Sequence, residues 1–233
     1  MALPLASERR SSLAKVYTTC KNQGVFALTF DDGPYEYNSK VISDLNNAHA
    51  TGTFFVNGQN YDCIYDRADD LIAAYNDGHI IGSHTWTHAD IATLSPDELN
   101  SQLTKVETAL KKILGVRPRL FRPPYGSYND AALEILQQRG YTTVTWSLDS
   151  GDSVGKSTSY SESEYEQQAK KYPSPGIGLN HETYESTAYT VAPQAIAILQ
   201  SAGYKLVSVA ECLGVEAYDY IGGKEEKNDS WKC

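Results

Sequence analysis

The chain has 233 residues, 41% of them hydrophobic and 21% charged, with a formal net charge of -9 at pH 7. That apolar content suits one large core but is tight for two. The acidic balance, without basic runs, excludes a nucleic-acid face, and no apolar stretch approaches the ~20 residues of a membrane span. The expectation is one monomeric domain over residues 1–233, with a core at about 16–213 and a C-terminal tail at 214–233. Met1 to Arg10 carry their charges after the apolar residues, so they do not read as an intact signal peptide. A leader already removed, with Met1 added, is the reading for that segment.

From about residue 25 to residue 212, short β-rich runs alternate with helical patterns, and Gly, Asn or Asp marks each switch. In chain order the pattern predicts a strand at 25–30, a helix at 39–50, a strand at 53–56, a helix at 66–77 and a strand at 79–83. A helix at 96–114, a strand at 119–121, a helix at 129–139 and a strand at 142–147 follow. Then come a helix at 162–171, a strand at 176–180, a helix at 188–202 and a strand at 205–208. Six or seven βα units without repeats fit an α/β fold, a distorted or incomplete (β/α) barrel, better than an open sheet. No glycine-rich phosphate loop follows the first strand, which weakens a nucleotide-binding reading.

In such folds the functional groups gather where strands end. The first strand runs into Asp31-Asp32-Gly33-Pro34, where two adjacent carboxylates need a cation or a division of protonation states, although the same residues also form turns. After the strand at 79–83 comes His84-Thr-Trp-Thr-His88. On a helical turn, positions i and i+4 share a face, so both imidazoles can reach one metal ion. One Asp and two His make a three-ligand site with positions open for water and substrate. Arg122 precedes Pro-Pro-Tyr125-Gly126 and can hold a carboxylate by a forked ion pair. Trp146-Ser-Leu-Asp149-Ser-Gly-Asp152 offers two carboxylates, either able to pair with a base or to cap a turn. Finally, Gly176-Ile-Gly-Leu179-Asn-His181 delivers a histidine to the rim.

These five stretches, in this order, closely resemble the motifs of the polysaccharide deacetylase family, carbohydrate esterase family four, which includes fungal chitin deacetylases. The resemblance spans roughly residues 16 to 213. It implies a zinc-dependent hydrolase, with cobalt an alternative metal, that removes acetyl groups from a carbohydrate polymer or oligomer, chitin foremost. By this resemblance Asp31 would be the general base, and Asp32, His84 and His88 the metal ligands. Arg122 would orient the base, the N–H of Tyr125 would stabilise the oxyanion, and His181 would be the general acid with Asp149 its partner. Leu179 would line the acetyl pocket, and Tyr125 and Trp146 would be further substrate contacts. The fourth motif departs from the family, which usually has Trp where this chain has Ser153. Acetylxylan and peptidoglycan are alternative substrates for the same catalytic set. A non-catalytic glycan binder would normally have lost a ligand or the base.

Two His and one carboxylate also form the facial triad of non-haem iron oxygenases, and His88-Ala-Asp90 with His181 mimics that spacing. The βα alternation argues against the all-β fold typical of those enzymes. Four cysteines without C-x-x-C spacing point to two disulfides and to an extracellular or cell-wall location. Cys20 precedes the first predicted strand and Cys212 follows the last, so Cys20–Cys212 is favoured, leaving Cys63–Cys233 to tie the tail. Loops this long are worth up to about 5 kcal/mol each. Among the aromatics, Trp86, Tyr35 and Tyr37 are expected near a sugar groove, and His49 and His79 are read as structural.

Overall fold

The computed structural model describes residues 13–233, and the reading of residues 1–10 as a leader remnant falls outside them. The strands are β1 (Val16–Tyr17), β2 (Val25–Asp31), β3 (Thr53–Val56), β4 (Ile80–Ser83), β5 (Val116–Pro118), β6 (Leu120–Phe121), β7 (Thr142–Val144), β8 (Leu148–Asp149), β9 (Gly176–His181), β10 (Lys205–Leu206) and β11 (Tyr218–Ile221). The helices are α1 (Asn38–Asn47), α2 (Ala68–Asn76), α3 (Pro96–Leu114), α4 (Asp130–Gln138), α5 (Thr158–Ala169), α6 (Ala192–Ser201) and α7 (Val209–Leu213). Nine strands form one parallel sheet in the order β1-β7-β6-β4-β3-β2-β9-β8, with β10 also beside β2. Its ends, β1 and β8, do not meet, so the (β/α) barrel is incomplete, as the sequence predicts.

The central pair, β2 and β9, is parallel in register from Phe26↔Gly176 to Asp31↔His181. Residues 26–31 of β2 are all buried, because helices or loops cover both faces of a parallel sheet. A side chain at Gly176 would place its Cβ 2.4 Å from the Phe26 ring, so this close approach requires glycine. The register brings Asp31 and His181 to the same rim. Helix α3 matches its predicted bounds because both ends are signalled in the sequence. Ser95 and Glu98 form a capping box, Pro96 opens the first turn, and Gly115 closes the helix at φ 74°.

Elsewhere the boundaries differ. The strand predicted at 142–147 stops at Val144, and the chain crosses to pair as β8 with β9. Strands β1, β6, β8 and β10 have two residues each, too few to show a period. The tail is ordered by β11 pairing with β5 and by Trp231 packing on Tyr65. Cys20–Cys212 and Cys63–Cys233 are both bonded as expected. Among the described residues no helix is long and apolar enough to cross a membrane.

Candidate active site

Asp31 is the last residue of β2 and Asp32 the first beyond it, turned by a φ of 74°. His84 follows β4, and its N–H donates to Val56 O at 2.9 Å. The segment from His84 to His88 is not the helical turn expected from the i, i+4 spacing. It is an irregular loop with Thr85 at φ 66° and His88 at φ 55°, and that path brings the two rings to 5.0 Å between centroids. Asp32 Oδ1 lies 3.5 Å from His84 Nε2 and 3.2 Å from His88 Nε2. One ligand atom from each of the three residues falls within a span of 4.8 Å.

The donor set fits a divalent metal. Asp32 Oδ1 is buried and accepts no hydrogen bond, an expensive state for a carboxylate unless a cation fills the gap. His84 Nδ1 is 2.7 Å from Arg122 O, so Nδ1 carries the proton and Nε2 turns its lone pair toward Asp32. Burial, reinforced by His88 beside it, holds the His84 pKa well below its ordinary value, and burial lowers His88 too. Neutral imidazole is the form that ligates. Burial also raises the carboxyl pKa of Asp32.

Asp31 does not join that trio. Its Oδ1 accepts from Arg122 Nη1 at 2.8 Å, and Arg122 also donates to Thr29 Oγ1 at 2.6 Å and to Thr145 O at 3.0 Å. Arg122 is fully buried, with its guanidinium 4.4 Å from the Phe55 ring centroid. Burial pushes the Asp31 carboxyl up to about 6, against the opposing pull of Arg122. A carboxylate poised there suits proton abstraction near neutral pH.

His181 ends β9, but its partner is not Asp149. Its Nδ1 pairs with Asp152 Oδ1 at 2.8 Å, and Asp152 Oδ2 accepts the His181 backbone N–H and the Thr187 hydroxyl, both at 2.7 Å. Asp149 instead accepts the N–H of Gly151 at 2.8 Å, capping the turn. Gly151, at φ 74°, redirects the chain so that the next carboxylate reaches the histidine. Burial opposes charge on His181, but the Asp152 bond and charge outweigh it and raise its pKa to about 9.

Asp31, Asp32, His84, His88 and His181 border one cleft of about 640 Å³, whose lining also includes Tyr125, Trp146, Asp149, Leu179, Asn60, Tyr61, Ser153 and Tyr184, with Arg122 and Asp152 behind it. Tyr125 sits at φ 60° in the Pro124–Gly126 turn, 69% exposed, with its ring 4.6 Å from that of His88. Leu179 is buried in the lining. Sequence reasoning missed Tyr61 and Tyr184, whose hydroxyls meet at 3.2 Å; the only cue was that Tyr184 comes three residues after His181. Trp86 is not in the cleft, contrary to expectation. It is buried behind the histidine loop, where a Cβ on Gly58 would lie 1.8 Å from its indole. Tyr35 is half-buried and outside the cleft lining, packed on the lining residue Tyr61 at 5.4 Å between centroids. His79 is structural, with Nδ1 accepting from Gly52 N at 3.1 Å.

The family model described as polysaccharide deacetylase matches residues 18–144. A chitin deacetylase from a Pestalotiopsis species is 37% identical over 209 residues, covering 89% of this chain and 70% of that protein. The chitin deacetylase of Colletotrichum lindemuthianum is 34% identical over 220 residues, covering 91% of this chain and 88% of that one. Its solved structure superposes with a TM-score of 0.86 at 30% identity, over 92% of this chain and 100% of that chain. On this match, these identities and this fold, the chain belongs to the polysaccharide deacetylase family.

Proposed function

We propose that the chain is a metal-dependent hydrolase that removes N-acetyl groups from N-acetylglucosamine units of chitin or its oligomers, giving acetate and a free amine. The observation that carries this reading is the buried, unpartnered Oδ1 of Asp32 facing the Nε2 atoms of His84 and His88 at 3.5 and 3.2 Å. Those three side chains would hold zinc, or cobalt in its place. When bound, the ion supplies Lewis acidity at the acetyl carbonyl and acidifies water to near neutrality.

The chain's own residues supply the rest. Asp31, held in place by Arg122, takes the proton of the attacking water. The backbone N–H of Tyr125 donates to the oxygen that gains negative charge, a contribution typically worth a few kcal/mol. His181, kept cationic by Asp152, gives its proton to the departing amine, which leaves poorly unless protonated. Leu179 packs against the acetyl methyl, and Trp146 and Tyr125 flank the sugar. The two disulfides and the likeness to fungal chitin deacetylases support a secreted or cell-wall protein.

The test is acetate release from chitooligosaccharides, acetylxylan and peptidoglycan, before and after chelation and with zinc or cobalt restored. Release from chitooligosaccharides that chelation abolishes and metal restores is expected. Release from acetylxylan or peptidoglycan alone would move the substrate there. Asp31→Asn should bind zinc normally and turn over nothing, and near-normal turnover by that variant removes Asp31 from its role.

A further inference from the structure

The loop that carries both imidazoles lies in a conformation its own residues disfavour. A β-branched threonine at φ 66° is costly, and His88 at φ 55° adds to the strain. Bonds from outside the loop hold it. On one side Asn57 Nδ2 donates to His84 O and, at 3.0 Å, to Thr85 O. The N–H groups of Gly58 and Gln59 donate to Trp86 O at 3.0 and 2.7 Å. On the other side Gln102 Oε1 accepts from the N–H groups of Trp86 at 2.8 Å and Thr87 at 2.9 Å, while its Nε2 donates to Thr87 Oγ1 at 3.0 Å.

We propose that Gln102 is a positioning residue for the metal centre: its carboxamide fixes the backbone between His84 and His88 and so presets the separation of the two imidazoles. The inference rests on the reading of Asp32, His84 and His88 as ligands. Gln102 is not among the residues that line the cleft, so its effect passes through the loop. It stands on the longest helix, which is capped at both ends and anchored by buried Leu99, Leu103, Val106 and Leu110. The carboxamide is therefore set by a rigid element, as a preorganised ligand loop needs. Apart from Gln102, the loop has the bonds from Asn57, Gly58 and Gln59 and the Trp86 indole packed on Gly58. What Gln102 adds is the last increment of geometry.

The experiment measures zinc affinity by chelator competition for the parent, Gln102→Met and Gln102→Glu, with the Tm of each metal-free protein. Methionine keeps length and helix propensity but removes all three hydrogen bonds. Glutamate keeps the oxygen that accepts from Trp86 and Thr87, and the Thr87 hydroxyl can turn to donate to it. Gln102→Met should weaken zinc binding about tenfold, in the range typical of groups that orient metal ligands. Its metal-free Tm should stay within about 2 °C of the parent, and Gln102→Glu should recover most of the affinity. Zinc binding by Gln102→Met as tight as the parent overturns the inference. So does weak binding shared by Gln102→Glu together with a fall in metal-free Tm, which marks a general structural role. A parent that binds no divalent metal overturns the metal-centre reading itself, and this inference with it.

Discussion

Replacing Asp152 with Asn tests how His181 is kept charged. Asp152 Oδ2 accepts from the His181 backbone N–H, which can only donate, and from the Thr187 hydroxyl. In the variant the amide oxygen must occupy that position, which turns the amide NH₂ toward His181 Nδ1. Nδ1 then becomes an acceptor, the proton moves to Nε2, and a second proton has nowhere favourable to sit. In the parent the pKa of His181 is raised from 6.5 to about 9 although burial opposes charge. At about 1.4 kcal/mol per unit, this is a net preference for imidazolium on the order of 3 kcal/mol. Without the carboxylate, burial is opposed only by the weaker pull of Asp31 and Asp32, and the pKa falls. At pH 7.5 the cationic fraction is nearly complete in the parent and drops in the variant, and a lost general acid typically costs 10²–10⁴ in rate. Imidazole NMR titration of the metal-free protein and the pH dependence of kcat measure the two effects. A raised folded pKa also stabilises the fold below pH 6.5, and that stability is lost as pH rises through about 9. The variant should lack this slope. Asp149→Asn should leave the titration unchanged, because that side chain caps a turn and the bond to His181 comes from Asp152. An imidazole still titrating near 9 in Asp152→Asn, or a shift produced by Asp149→Asn, would refute the assignment.

Two further outcomes follow from buried charge. Arg122→Met leaves the carboxylate of Asp31 buried without its counter-ion, and breaking such a pair costs about 3–5 kcal/mol. For a chain of this size that lowers Tm by about 6–20 °C, measured calorimetrically on the metal-free protein, and a fall of under about 2 °C contradicts the argument. Glu182 is fully buried beside Gly33; Asn38 donates to its Oε2 at 2.6 Å, and its Oε1 has no hydrogen-bond partner. Burial raises its pKa from 4.5 to about 8, so the folded state keeps a proton that the unfolded chain has released. That contribution to stability is therefore lost as pH rises from 4.5 through about 8, by a few kcal/mol in total. Glu182→Gln retains an acceptor for Asn38 and should flatten the denaturant-derived stability curve across that window. Equal slopes for variant and parent would show that Glu182 is not protonated in the fold.

The positions of Asp31, His84, Arg122 and His181 at strand ends were legible because each follows an apolar run that had to be a buried parallel strand, and parallel strands release their chains at one rim. What those side chains do to each other was less legible. The i, i+4 spacing of His84 and His88 fits a helical turn as well as a loop, and bonds from Asn57, Gly58, Gln59 and Gln102, remote in sequence, decide for the loop. Asp149 and Asp152 are chemically identical candidates, and the choice between them depends on how Gly151 turns the chain. Trp86 looked like a sugar contact because it lies between two ligand candidates, yet it packs against Gly58 to hold their backbone.

These failures share a physical cause. At this rim the protein keeps a buried unpartnered carboxylate oxygen on Asp32, a buried ion pair between Arg122 and Asp31, and left-handed Asp32, Thr85, His88 and Tyr125. Each goes against the local preferences from which sequence reasoning works, and each is held by contacts distant along the chain. A site built this way resists rearrangement when substrate arrives, because the cost of orienting its groups was met when the sheet and α3 folded. That is the condition under which fixed dipoles and charges lower a reaction barrier more than mobile water can. Of the five non-glycine residues with positive φ among those described, four lie at this rim and only His49, just after α1, does not, so backbone strain adds to the motifs a record of which side chains the fold holds in place.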